Sequence, residues 1–381
     1  MKSALLLLVL GLLFITTFAF FVLSSSSPSS SGSIISSNKN KDSKLKSMRK
    51  SLRGGGASIV KMSSFSSSTI PNILYGTAWK KERTAELVEL AIKTGFRAID
   101  TACQPRHYNE KGVGDAVKKL IDEGFITRKD IFLQTKYTPI GNYHNQHNHQ
   151  YHHNHHHHHN HQYHHHHNHQ YHHNHHYHHY HDFKGGQDPN NVPYAANEPI
   201  PIQVEQSFSK SLENLNTDYL DSLVLHSPLS TISSTLEVWK KFEEIHKRGG
   251  VVRLGISNCY DLPLFKTLWD KAEIKPSFLQ NRFYKDSDYD VELRQFCKEK
   301  NVIYQSFWTL TANPHIINSK VVQSIAGKLN KTPEQIFFAF VRSNDIIFLS
   351  GTKNSVHMLQ DLEVENIKLE QHDIDSISKL L

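Results

Sequence analysis

The 381-residue chain has only three cysteines, Cys103, Cys259 and Cys297, far apart and without a CxxC spacing. That excludes a disulfide framework and a cysteine zinc site, and leaves buried free thiols as the expectation. No Gly-x-Gly-x-x-Gly follows any apolar run, so the glycine-rich turn of an open doubly wound sheet is not available to hold a dinucleotide. Acidic residues are nearly missing from positions 1 to 62, where nine Lys and Arg face Asp42 alone, a net of +8. The whole chain carries +7, so the basic balance belongs to that leader and gives no reason to expect a nucleic-acid partner. Long apolar runs are also missing, with one exception near the start.

That exception is ALLLLVLGLLFITTFAFFVL, residues 4–23, an uncharged apolar run of twenty positions broken only by Thr16 and Thr17, behind Lys2. It is long enough to span a bilayer as a helix, so residues 1–24 read as a signal anchor or as a cleaved signal peptide with TTFAF as a weak cut site. Residues 25–67 are rich in Ser, Lys and Arg and show no apolar periodicity, which predicts a disordered linker or a transit segment. Together these segments predict entry into the secretory pathway. The destination is either a plastid, through a two-part leader, or the endomembrane system, with membrane contact through residues 4–23.

Residues 144–181 hold 23 of the 29 histidines, and NHQYHH recurs at 148, 160 and 168. The block offers no apolar face and reads as a disordered low-complexity loop. Its imidazoles would bind Zn, Cu or Ni ions loosely and gain charge below pH ~6.5, but no metal is required by the rest of the chain.

With leader and block set aside, roughly 276 residues of the region 68–381 remain, close to the ~250 of one α/β barrel. From Asn72 onward, eight short apolar runs alternate with helical patterns: 73–79, 96–102, 131–137, 221–227, 252–258, 277–283, 302–308 and 346–352. That alternation predicts a (β/α)8 barrel with a parallel sheet, the histidine block falling after the third strand. Val113, Ala116, Val117, Leu120 and Ile121 form one helical stripe, and Val321, Val322, Ile325, Ala326 and Leu329 another. Gly95 and Gly124 stand where helices end. Thr332-Pro333-Glu334-Gln335 is a capping box. The last helical pattern runs almost to Leu381, which leaves no room for a long C-terminal loop over the barrel mouth.

In such a barrel, polar residues at the C-terminal ends of strands are candidates for catalysis. Asp100 ends the second run, Tyr108 follows it, Lys136 ends the third and His226 ends the fourth. The segments FRAIDTACQPRHYNEKGVGDAV, IFLQTKYTP, DYLDSLVLHSP, VVRLGISNCY and SFLQNRF, in this order from about Tyr75 to Lys379, resemble the signature segments of the aldo-keto reductase family. The resemblance implies reduction of an aldehyde or ketone by hydride from NADPH. Tyr108 would be the proton donor, its phenol made more acidic by Lys136, itself held by Asp100, and His226 would orient the carbonyl. The family places its tyrosine five residues after the aspartate. Here Pro105 stands there, Tyr108 comes eight residues after, and His107 is the local competitor.

The same resemblance implies that Ser257, Asn258 and Gln280 hold the carboxamide of the cofactor. Gln305 occupies the place of a stacking tyrosine, and Ser306 is a further cofactor contact. After the eighth strand the family commonly has Lys-Ser, then Arg and Asn, around the adenine end; this chain has Thr352, Lys353, His357 and Asp361 there. The missing Arg keeps NADH open beside NADPH. Trp79 and Ser227 stand where substrate walls are expected, and a monomer that accepts small carbonyl compounds broadly follows. Two alternatives stay open: a barrel that binds NADPH to sense or regulate, with little turnover, and a metal-handling protein whose histidine loop is the working part.

Overall fold

A computed structural model of the chain describes residues 70–140, 187–188 and 191–381. The expected leader, linker and histidine block lie outside the described residues. Strand β1, Ile73–Gly76, leads to helix α1, Thr84–Thr94. The alternation continues through β2 (Ala98–Asp100), α2 (Glu110–Asp122), β3 (Phe132–Tyr137), α3 (Ile200–Leu215), β4 (Leu220–Leu225) and α4 (Ile232–Lys247). It then runs through β5 (Val251–Ser257), α5 (Leu262–Lys271), β6 (Phe278–Arg282), α6 (Val291–Lys300) and β7 (Ile303–Phe307). Helices α7 (Pro314–Ile317), α8 (Lys320–Leu329) and α9 (Pro333–Ser343) precede β8 (Ile346–Ser350), and α10 (Ser355–Glu363) and α11 (Gln371–Ser378) follow it. Each strand pairs in parallel with the next and β8 pairs with β1, so the sheet closes into an eight-stranded barrel. Among the described residues no helix is long and apolar enough to cross a membrane.

The helices form where the apolar spacing places them. Val113, Ala116, Val117 and Leu120 are buried along α2, and Val322, Ile325 and Ala326 along α8. Thr332 accepts from Gln335 N while Gln335 reaches back to Thr332 N, closing the capping box that opens α9. Gly95 ends α1 with φ 139°, a conformation other residues rarely take. The strands turn alternate side chains outward against the helices and inward to the lumen. The lumen is stratified. Leu74, Ala98, Phe132, Phe278 and Ile347 fill one apolar layer, and the inward residues nearer the C-terminal ends of the strands include Asp100, Gln134, Lys136, Gln280 and Gln305.

One glycine is fixed by helix packing. A Cβ on Gly114 of α2 would lie 2.0 Å from Asn214 O and 2.6 Å from Leu215 Cα on α3. Backbone cannot move aside as a side chain can, so Gly114→Ala should force α2 off α3 and destabilise the barrel by about 3 kcal/mol or more. Urea unfolding of the variant checks this; a wild-type midpoint would contradict so close an approach.

Candidate active site

Sequence parity carries residues of β3 and the residue just past β4 into the same space. Gln134, Lys136 and, just past the strand, Thr138 share a face, and His226 stands one step past β4. Lys136 Nζ lies 2.7 and 2.6 Å from the two Asp100 oxygens and 2.9 Å from Thr101 O. The pair is almost fully buried, with side chains 1% and 4% exposed. Burial pulls the Lys136 ammonium below its ordinary value, and the Asp100 carboxylate pushes back.

The chain reaches Tyr108 through a turn in which Tyr108 N bonds Gln104 O at 3.0 Å. Immediately after it, Asn109 caps α2 by accepting from Gly112 N, and buried Glu110 accepts from Thr135, Ser211 and Asn214. Tyr108 is therefore held against a pinned helix start, which fixes where the inserted residues put its ring. That ring has its centroid 5.4 Å from Lys136 Nζ and meets His226 edge-on at 6.0 Å. Asp100, Tyr108 and His226 all line one cavity of about 850 Å³. That volume lies within the range of small-molecule and cofactor sites.

His226 is buried, and burial together with the Lys136 and His107 neighbours holds its imidazole well below the ordinary value. Its Nδ1 lies 2.7 Å from Thr138 Oγ1. When the threonine hydroxyl donates to Nδ1, the neutral ring carries its proton on Nε2. His107 also lines the cavity, its ring tilted 40° against that of Trp79 with centroids 4.1 Å apart. Burial and Arg106 bring its imidazole down to about 4. Trp79 itself is 46% exposed and sits at φ 62°.

Beneath the cavity lies an amide network. Gln134 Nε2 donates to Asp100 Oδ1 at 2.8 Å and to Gln305 Oε1 at 2.8 Å. Gln280 Nε2 donates to the same two oxygens at 3.0 and 2.9 Å, and Gln305 Nε2 returns a bond to Gln134 Oε1 at 3.2 Å. Because Asp100 can only accept, both amides must turn their nitrogens toward it. Gln280 then has only its oxygen left for the cavity it lines.

The expected cofactor residues divide by parity. Ser257, Asn258 and Gln280 line the cavity, as do Thr352, His357 and Asp361 at its other end. Ser257 Oγ donates to Gln280 O, and Asn258 Nδ2 to His226 O at 2.8 Å, tying β4, β5 and β6 together at the site. Gln305 is instead sealed in the amide network. Ser306 faces away from the lumen and pairs with Thr309 at 2.8 Å, and Phe307 takes the next inward position. Lys353 is exposed and does not line the cavity. Ser227 points away from the lumen, buried and bonded to Pro228 O, so Pro228 and Leu229 form that wall. These four positions do not reach the cavity, contrary to the sequence expectation. Thr138, Gln134, Arg282, Tyr284 and Trp308 went unnoticed in the sequence. Gln134 and Thr138, each two residues from Lys136, and Arg282, two from Gln280, carried the signal of period two; Tyr284 and Trp308 carried none.

Asp361 carries a pH consequence. Burial raises its carboxyl to about 6, although Ser350 donates to it at 2.6 Å. The folded chain thus holds a proton that the unfolded chain releases near pH 4, so this group's contribution to stability falls as pH rises from about 4 to about 6. Asp361→Asn should gain on wild type across that window by a total of order 1–3 kcal/mol. Urea unfolding at pH 4.5 and 7.5 measures it; an advantage unchanged between the two would contradict the shift.

Among the described residues the one cluster of possible metal ligands, Glu370, His372 and Asp373, lies on or beside α11 and does not line the cavity. The chain is 23% identical over 348 residues to an NAD(P)H-dependent D-xylose reductase of Pachysolen tannophilus, covering 82% of this chain and 90% of that one. It is 23% identical to the glyoxal reductase of Bacillus subtilis (strain 168), covering 77% and 82%. Among solved structures, an aldo-keto reductase enzyme from a Medee basin deep-sea metagenome library superposes with a TM-score of 0.60 at 21% identity, covering 82% and 92%. An aldo-keto reductase complexed with NADPH superposes at 0.58 and 20% identity, covering 81% and 84%. The sequence profile of the Aldo/keto reductase family matches residues 71–313, well over half of the chain, and with the closed barrel and the cavity at its strand ends this protein belongs to that family of oxidoreductases.

Proposed function

We propose that the cavity reduces small aldehydes or ketones to alcohols, with Tyr108 as proton donor and a nicotinamide dinucleotide, NADPH or NADH, as the second substrate. The observation that carries this reading is the Tyr108 ring with its centroid 5.4 Å from the Lys136 ammonium and 6.0 Å from that of the neutral His226. The bound dinucleotide would supply a hydride to the carbonyl carbon. Everything else falls to the chain. As negative charge grows on the carbonyl oxygen, the Tyr108 hydroxyl gives it a proton, and the nearby Lys136 ammonium makes the phenolate left behind less costly. His226, with its proton on Nε2, donates a hydrogen bond to the same oxygen without carrying a charge of its own. Asp100 keeps Lys136 aimed, and the glutamine network keeps Asp100 in place.

The residues present suit the nicotinamide end of a dinucleotide. Gln280 has both amide protons committed, so it offers an acceptor to a carboxamide N–H, and Asn258 and Ser257 stand beside it. His107 is the weaker donor: with a pKa of about 4 it has no imidazolium proton to give near neutrality. Relatives named for D-xylose and glyoxal suggest the first substrates to try. Stopped-flow mixing of the protein with NADPH or NADH and either aldehyde tests the reading. Oxidation of the cofactor in step with alcohol formation is expected; tight cofactor binding with no turnover across an aldehyde panel would overturn it.

A further inference from the structure

We infer that Arg282 is an anion-binding residue of the cavity mouth, placed to take a phosphate or carboxylate group of a bound ligand. The inference rests on the reductase reading above. Arg282 ends β6 two residues beyond Gln280, so it faces the same lumen one step closer to solvent, and it lines the cavity. Its guanidinium carbon lies 4.4 Å from the centroid of Trp308 and 4.9 Å from that of Tyr284. Tyr284 in turn meets Tyr260 edge-on at 6.1 Å, and the Arg282 backbone N–H donates to the Tyr260 hydroxyl at 3.1 Å. Aromatic contact restrains the guanidinium plane, and a guanidinium held in this way has the planar donor geometry that matches the oxygens of a phosphate or carboxylate. Trp308 reaches its place with a left-handed φ of 55°, a conformation that costs a bulky residue strain.

Charge around the cavity supports the same assignment. Among the described residues that line it, Arg282 is the one Lys or Arg. Asp100 is neutralised by Lys136, and the remaining acids, Glu334 and Asp361, stand with Thr352 and His357 at the β8 and α9 side. An anion entering the cavity is therefore drawn toward the ends of β6 and β7. Two ligands bring such a group: the diphosphate of the dinucleotide, on a path from Gln280 past Trp308 toward Thr352, or the acidic group of a carbonyl substrate.

Arg282→Met and Arg282→Lys, each checked for a near-wild-type thermal midpoint, separate these sources. NADPH affinity is read by quenching of protein fluorescence, and kcat/KM is compared for glyoxylate, an anionic aldehyde, and for neutral glyoxal. If Arg282 holds the diphosphate, Arg282→Met raises the NADPH Kd about tenfold or more, and Arg282→Lys recovers part of the loss. If it holds a substrate anion, the NADPH Kd stays put and the glyoxylate-to-glyoxal ratio falls about tenfold or more. Both quantities within twofold of wild type would overturn the inference. Failure of the wild-type protein itself to bind NADPH or turn over glyoxal would overturn the functional reading and this inference with it.

Discussion

Lys136→Met is expected to unfold at markedly lower urea than wild type and to lose turnover as well. The ammonium is 1% exposed and holds both oxygens of Asp100. Removing one partner of a buried ion pair typically costs about 3–5 kcal/mol, because the remaining charge loses its partner without regaining water. Asp100 still receives Gln134 and Gln280 at 2.8 and 3.0 Å, which puts the expected loss near the lower end. Adding Asp100→Asn to Lys136→Met should recover stability, since an amide needs no counter-charge. The coupling between the two sites in a double-mutant cycle should be about 1–3 kcal/mol. Additive effects would mean the pair contributes nothing as a pair.

Tyr108→Phe is expected to lower kcat by about 10²–10⁴-fold, the usual worth of a positioned acid, while leaving the NADPH Kd within about twofold. The substitution removes one oxygen and keeps the ring that meets His226. A loss confined to kcat would place the hydroxyl in the chemical step and not in binding. His107→Gln is the control. Its imidazole is neutral near pH 7 and packs against Trp79, so it should change KM for the aldehyde more than kcat. If His107→Gln carried the large kcat loss and Tyr108→Phe did not, the donor would be His107, at the neighbouring position in the inserted turn.

Much of this was legible in the residues. All eight apolar runs became strands, because alternation of strand and helix patterns leaves a closed parallel barrel as the economical way to bury them. Strand ends were less legible. The first run extends to Trp79, but β1 stops at Gly76, and Trp79 and Lys81 take φ of 62° and 50° to turn the chain across the mouth. Such a turn depends on what the loop packs against, here the Trp79 N–H on His107 O at 2.8 Å. That Asp100, Lys136 and His226 would stand near one another was legible because each lies at or one step from a strand end, with Tyr108 following eight residues after Asp100. Gln305 and Ser306 were harder, since a one-residue difference in parity exchanges lumen for outer face. Only the pairing of Gln280 with Gln305 settles which is which. The amide network and the Arg282 contacts join residues 134, 280, 305 and 282, 284, 308, and nothing local in the sequence announces contacts across the barrel lumen or between its loops.

Transfer of a label from the cofactor tests the central claim most directly. NADPH deuterated at the transferring position of the nicotinamide is mixed with the protein and glyoxal, and the alcohol is analysed by mass spectrometry. One deuterium in each product molecule, matched by one oxidised cofactor and slowed about 10²–10⁴-fold in Tyr108→Phe, is the predicted result. Alcohol without deuterium, or bound cofactor that never yields labelled product, would contradict a hydride-transfer site at this barrel mouth.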